Sequence, residues 1–491
     1  MTKPTTTPRT PAILAALGLA IAACGHQATT FPKSTNEGSR EADASGIKRV
    51  VLVSMDGLMP NNYLSPDIHG LKIPTLRWMA AQGAFSDGVK SVYPTVTYPS
   101  HTSMVTGVNP GRHGIVGNRT FDPLDNDLES WHWYAEEIKT PTIWRVAEEQ
   151  GLKTGMVHWP VTLGAKVSYL LPEFWRAKNV QDQKLMRVVS TPNLLNEVAA
   201  SHADFWTRYI PPNVSDDSLT DVALHILATG KPDLLLLHLV EVDGAQHRHG
   251  IDSAEARSAI ETDDRQLARI YEELSRSGLY AETAVVVVSD HGFRKTTKLV
   301  RPCTLLRDAG LVTVNDKGTV TGWKASVQAN SGQAYVYLHD PADHVTREVV
   351  RSLFAEKRQD PANGIGRVYE ADEIRALGGD PSALLGLEAA VAGDFQFGPG
   401  CVGDYVAPPA YHATHGYDPD RPEMRASLLI TGPGIPRGHI VNARLIDIAP
   451  TIAGWLKLPM SGFDGKPLAV VLGPASERPG ELLPSRHLPQ Q

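Results

Sequence analysis

Three apolar runs in this chain each end on an acid. "KRVVLVSMDG" stops at Asp56, "DLLLLHLVEVDG" at Asp243, and "TAVVVVSDHG" at Asp290 and His291. Runs rich in Val and Leu without polar alternation are the pattern of strands buried on both faces, and such strands occur in parallel sheets covered by helices. Between the runs lie helical stretches. "IPTLRWMAAQG" and "TIWRVAEEQG" both stop at Gly, "SAEARSAIETDDRQLARIYEELSRSG" is a long amphipathic pattern ending in Gly278, and "RLIDIAPTIAGWL" is another. "RASLLITGPG" reads as a further strand. The alternation predicts an α/β fold, a mostly parallel central sheet with helices on both faces. In such sheets ligands sit beyond the carboxyl ends of the strands. Asp56, Asp243, Asp290 and His291 all fall at that edge.

A chain of 491 residues has room for one large α/β domain or for two. Its net charge of −7 and its lack of a basic run argue against a nucleic-acid partner. Two stretches, 163–220 and 295–410, are irregular and rich in Pro and Gly, and read as insertions capping the site. The expected organisation is therefore a leader over 1–24, a flexible polar tether over 25–46, a catalytic domain over 47–472 and a disordered tail over 473–491. Lys3 and Arg9 precede "AILAALGLAIAA", an apolar segment too short to span a bilayer. It ends in "IAACG", which resembles a bacterial lipobox with Cys24 as the lipidated residue. An ordinary signal peptide cut at the neighbouring small residues is the alternative. Either way the expectation is export, and with Cys24 modified, a periplasmic lipoprotein anchored to the membrane. Cys303 and Cys401 form no CxxC pattern, so a thiolate zinc site is not expected. In an oxidising compartment they would either pair or remain two buried thiols.

The acids at the strand ends have imidazole company. "VDGAQH" sets Asp243 and His247 four apart, on one face of a helical turn. "SDHG" supplies Asp290 and His291, "THGY" supplies His415, and Asp56 completes three Asp and three His. Oxygen and imidazole donors without thiolate suit zinc or manganese in a catalytic site. Six donors exceed one open tetrahedral site and suit two ions. Such a pair would activate a hydroxyl, and "VYPTVTYPSHTSMVTG" offers several.

In order along the chain, "VSMDG", "YPTVTYPSHTSMVTG", "HGIVGN", "VDGAQH", "SDHG" and "THGYDPDRPEMRASLLITGPG" resemble the nucleotide pyrophosphatase/phosphodiesterase (type I phosphodiesterase) branch of the alkaline phosphatase superfamily. The resemblance implies an alkaline-phosphatase-like core and two divalent metal ions, zinc foremost. It assigns Asp243, His247 and His415 to one ion, and Asp56, Asp290, His291 and the Thr97 oxygen to the other. Thr97 becomes the nucleophile that forms a covalent phospho-threonine, and Asn118 the amide that holds a phosphate oxygen. Tyr98 takes the position of an aromatic that stacks on a nucleobase or other flat group, the alternative being a ring packed in the cleft floor. His101 is expected to support by hydrogen bonding and Trp159 to be structural. The implied activity is hydrolysis of small phosphodiesters or nucleotide pyrophosphates. The alternative is a phosphonate (phosphonoacetate-like) or phosphomonoester hydrolase on the same metal site. No C-x-P-x-R segment for formylglycine is present, which argues against a sulfatase.

Overall fold

Strands built of Val and Leu on both faces need cover on both sides, and the fold supplies it. The computed structural model describes residues 46–124, 130–176, 179–210, 213–409 and 411–471. Cys24, nearly all of the tether and the tail from 473 lie outside the described residues. Among the described residues the central sheet has nine strands: β1 (Arg49–Met55), β2 (Ala84–Phe85), β3 (Thr154–Val157), β4 (Tyr169–Leu171), β5 (Leu234–Leu239), β6 (Thr283–Val288), β7 (Leu428–Thr431), β8 (Gly438–Ile440) and β9 (Val470–Val471). Their order across the sheet is β9-β8-β2-β7-β6-β1-β5-β3-β4. From β6 to β4 every pairing is parallel, and β7 joins β6 antiparallel.

Alternate residues of each strand face opposite layers. Val51, Val53, Leu235, Leu237, Val285 and Val287 pack against α1 (Pro74–Gln82), α4 (Asp216–Thr229) and α6 (Ala254–Arg276). Val50, Leu52, Leu234, Leu236, Val286 and Val288 pack against α2 (Thr97–Thr106), α3 (Ile143–Glu149) and α7 (Ile448–Trp455). The remaining helix of the site, α5 (Glu241–His249), directly follows β5. Among the described residues no helix is long and apolar enough to cross a membrane.

The stretch 163–220 departs from its reading as an insertion. Its "YLL" segment is β4, the edge strand of the central sheet, and α4 begins at Asp216. Three residues are too short a run to show a strand pattern, so the pairing is decided by the neighbouring β3. The stretch 295–410 builds a layer of its own. Ala325–Asn330, Gln333–Leu338, Leu385–Ala389 and Ile365–Glu370 form an antiparallel sheet in that order. Its apolar side packs with the helix His344–Arg358 through Val350 and Phe354. Cys303 and Cys401 are joined in a disulfide within this layer, with Cα atoms 4.6 Å apart. The pair that the sequence left open is therefore bonded.

Candidate active site

Asp56 follows the last residue of β1, and its backbone N–H donates to Leu239 O on β5 (2.9 Å). Gly57 turns the chain away with φ +69°, and a Cβ there would lie 2.5 Å from the Phe293 ring. The Asp-Gly pair is thus required by a close approach as well as by the turn. Asp290 and His291 follow β6, the other neighbour of β1. Asp243 and His247 occupy consecutive turns of α5. His415 arrives from the far end of the chain, behind the short strand Ala413–Thr414, which pairs with Arg294–Lys295 just past His291.

These residues gather in two groups, Asp56/Asp290/His291 and Asp243/His247/His415, with the donor atoms of each group within 4.8 Å of one another. His291 Nε2 lies 3.0 Å from Asp290 Oδ2 and 3.4 Å from Asp56 Oδ1. His247 Nε2 and His415 Nε2 lie 3.3 and 3.6 Å from Asp243 Oδ1. The two groups touch, because the His291 and His415 rings stack with centroids 3.5 Å apart.

Each imidazole has its tautomer set by the backbone. His247 Nδ1 donates to Ala413 O (2.8 Å), His415 Nδ1 to Thr95 O (2.9 Å) and His291 Nδ1 to Gly292 O (3.2 Å). Their Nε2 atoms then face carboxylate oxygens, an arrangement that needs a proton or a metal cation between them. Asp56 Oδ1, Asp290 Oδ2, His291 Nε2 and Asp243 Oδ1 are buried and have no hydrogen-bond partner. Donors around a tetrahedral zinc, about 2.0–2.1 Å from the ion, lie roughly 3.3 Å apart, close to these separations. The donor set therefore fits two divalent cations.

Charge is uneven across the groups. Burial raises the carboxyl of Asp56 well above the usual range, helped by the negative neighbours Asp290 and Asp243. Burial acts the same way on Asp290, but the neighbouring imidazoles, His291 foremost, outweigh it and hold that group well below. Asp243 is brought down to about 2 because His247, His415 and His291 overcome the effect of burial.

Thr97 is the first residue of α2 and is nearly buried. It lines a cavity of about 710 Å³ together with Asp56, Asp243, His247, His415 and Asn118. Asn118 Oδ1 accepts from Tyr98 N–H (2.9 Å), which leaves its amide NH₂ to donate elsewhere. Thr95, two residues before Thr97, holds the return segment. Its hydroxyl donates to Tyr417 O (2.9 Å) and accepts from Gly416 N–H (3.0 Å), while its carbonyl accepts from His415. His101 lies in neither donor group. Burial, then the nearby His238, lowers its pKa to about 3, so it is neutral: Nδ1 donates to Thr97 O and Nε2 accepts from Ser54 Oγ, both at 2.8 Å. Trp159 is fully buried edge-on to His101.

Tyr98 is at the cavity floor with no exposed surface. Its ring meets Trp131 edge-on and its hydroxyl donates to Glu173 Oε1 (2.9 Å). A ring so enclosed offers no open face for stacking, and its place matches the floor-packing alternative. The half-buried indoles of Trp131 and Trp175 line the same cavity. Arg112 is half-exposed and bonded to Asp464 and Gly462, and the cavity's arginine is Arg248. Two buried neighbours of the donor groups were not singled out in the sequence. His238, within the apolar run of β5, faces Ser54 of β1 in register and contacts Asp56. Glu173 stands behind it. The one signal for His238 was a lone imidazole inside an otherwise aliphatic strand, and Glu173 carried none.

A protein-family model described as type I phosphodiesterase / nucleotide pyrophosphatase matches residues 50–383. The human ectonucleotide pyrophosphatase/phosphodiesterase family member 1 is 25% identical over 252 residues, which is 50% of this chain and 23% of that protein. The Xenopus laevis bis(5'-adenosyl)-triphosphatase is 28% identical over 256 residues, 50% of this chain and 48% of its own length. The Bos taurus protein of the same name is 22% identical over 415 residues, 84% of this chain and 78% of that one. The match thus spans about a quarter of the human relative and about half of the frog one. Among solved structures, human ectonucleotide pyrophosphatase/phosphodiesterase 5 superposes with a TM-score of 0.59 at 18% identity, covering 85% of this chain and 97% of that one. An inactive threonine-to-alanine variant of the murine protein, in complex with AMP, gives 0.57 at 20% identity with the same coverage. At these identities the structural likeness establishes the fold.

Proposed function

Because the chain belongs to the type I phosphodiesterase / nucleotide pyrophosphatase family, we propose that its cavity hydrolyses phosphodiester or nucleotide pyrophosphate bonds with Thr97 as nucleophile. The observation that carries this reading is the meeting, in one cavity, of a hydroxyl at a helix start, an amide and two groups of cation donors. Asp56, Asp290 and His291, with the Thr97 oxygen, would hold one divalent cation, and Asp243, His247 and His415 the other, with zinc the foremost candidate. Bound there, the cations supply Lewis-acid charge and lower the pKa of a coordinated hydroxyl or water.

The chain's own groups do the rest. Thr97 Oγ gives up its proton and forms a bond to phosphorus as the bond to the leaving oxygen breaks, that oxygen departing as a protonated alcohol or phosphate. The phosphorylated threonine, still carrying the other ester group, is then hydrolysed by water, which releases a phosphomonoester and returns a proton to the Thr97 oxygen. The NH₂ of Asn118 donates to a non-bridging oxygen of the phosphoryl group, where charge develops. The carbonyl bond from His101 fixes the first turn of α2, and with it the direction of Thr97. The single amide assigned to the phosphoryl position suits a phosphate whose further oxygen is esterified. Binding of AMP by the murine relative supports a nucleotide substrate, and the indoles of Trp131 and Trp175 give a flat base apolar surface.

A substrate panel on zinc-loaded protein tests the reading. Chromogenic diesters and nucleotide pyrophosphates are expected to be cleaved fastest. Faster turnover of phosphonoacetate or of a monoester would replace the diester assignment. We also place a lipid on Cys24, supported by the lipobox-like "IAACG". Labelled palmitate incorporated in the bacterial host should be lost on Cys24→Ala, and an unlabelled parent chain would discard the anchor.

A further inference from the structure

We propose that His238 and Glu173 are positioning residues that present Asp56 to its cation through one oxygen and tie that cation to the nucleophile. The proposal rests on the two-cation reading above. His238 Nε2 lies 3.0 Å from Asp56 Oδ2, and His238 Nδ1 lies 3.0 Å from Glu173 Oε2 and 3.1 Å from His158 O. Glu173 Oε1 accepts from the Tyr98 hydroxyl (2.9 Å) and from the Trp175 indole N–H (2.6 Å). Tyr98 in turn donates its backbone N–H to Asn118 Oδ1.

A continuous chain therefore runs from Asp56 through His238 and Glu173 to Tyr98, the residue after Thr97, and on to Asn118. Its acids, imidazole and phenol are all buried and face the cavity. A carboxylate free to rotate can offer a cation either oxygen or both. Here Oδ2 is occupied by His238, whereas Oδ1 is unpartnered and lies 3.4 Å from His291 Nε2, on the donor side. The same chain fixes the distance between that donor and the start of α2. Small displacements at such a point are costly, because reacting atoms must be held within a fraction of an ångström. Partners of this kind, standing behind a metal ligand, change metal affinity by roughly 10–100-fold when removed.

The test measures zinc binding itself, by titration of full-length protein against a chromogenic chelator, on His238→Ala, His238→Asn and His238→Gln. A glutamine amide reaches about where Nε2 stands and an asparagine amide about where Nδ1 stands. His238→Gln should stay within about fivefold of the parent at both sites. His238→Ala and His238→Asn should weaken one of the two sites by roughly 10–100-fold and leave the other within about twofold. Equal behaviour of Asn and Gln, or equal weakening of both sites, would overturn the proposal by showing only loss of packing. If the His238 variants do not fold, Glu173→Gln keeps shape and should weaken one site by about three- to tenfold, with unchanged binding overturning the proposal. A parent protein that binds no zinc would instead fail the two-cation reading, so the two failures are distinct.

Discussion

The two donor groups are built on opposite plans. Asp56, Asp290 and His291 stand at the ends of adjacent parallel strands in the middle of the sheet, and they are 4, 0 and 0% exposed. Behind them His238, Glu173 and His101 fill the space with hydrogen-bonding groups. Asp243, His247 and His415 come from one helix and one returning loop. Asp243 keeps 21% of its side-chain surface, and the partners holding this group are backbone carbonyls and Thr95. The inner group is a rigid feature of the sheet. The outer group is assembled when a segment more than 160 residues further on closes against α5, and it opens directly on the cavity. On the proposed two-cation reading, the difference implies that one cation would be held by the core and the other by this closure of the chain.

The largest expected effect separates the proposed nucleophile from both groups. Thr97→Ala should lower turnover by several orders of magnitude while elemental analysis still finds both cations. Parent-like rates would remove Thr97 from the chemistry. Asp290→Asn comes next: one cation per chain should disappear and turnover should fall by at least about a hundredfold, because the inner group loses a donor that the sheet holds in place. Retention of two tight cations would erase the contrast between the groups. A smaller effect belongs to the closure. Thr95→Val removes the bonds to Gly416 and Tyr417, and should weaken the outer cation roughly tenfold with little change at the inner one. Under a chelator that variant should release its first cation faster and its second at the parent rate.

The smallest effect on turnover lies outside both groups and serves as a baseline, because it bears on stability alone. His113 is fully buried against Ser103 of α2, and burial, then the nearby His132, lowers its pKa to about 3. Its unfolded pKa is near 6.5, so between those values the unfolded chain binds a proton that the folded one does not. Stability from this residue is whole above about pH 6.5 and declines as pH falls, by about 1.4 kcal/mol per pH unit, until about pH 3. Urea unfolding of the cation-free protein at several pH values should show a slope to which His113 and the other buried imidazoles, His101 among them, each add, and His113→Gln should lower that slope by about 1.4 kcal/mol per pH unit.

Five of the six donors were legible because residue type and local pattern coincide, at a strand end or at i,i+4 on a helix, whereas His415 was singled out only as the imidazole of "THGY". Their division into two groups entered through resemblance, and the geometry brings together the same sets. His238 was not legible, since an imidazole amid leucines has the same sequence signature whether it is packed or bonded. Glu173 lay in a stretch without periodicity, and β4 was too short to declare itself. Tyr98 drew attention through its neighbour Thr97, yet its enclosure depends on Trp131 and Glu173, which reach it from elsewhere.

By itself the sequence determined the sheet, the layers on both faces and the edge where chemistry gathers. Side-chain alternation and hydrophobic burial are short-range properties of the chain, and a run such as "VVLVSMDG" carries them wherever it is placed. Only the tertiary structure decided which oxygen of Asp56 stays open, that Cys303 and Cys401 are bonded, and that Tyr98 faces Glu173 rather than solvent. Those outcomes are set by distances between residues tens to hundreds of positions apart. Such distances come from packing, and no local pattern encodes them.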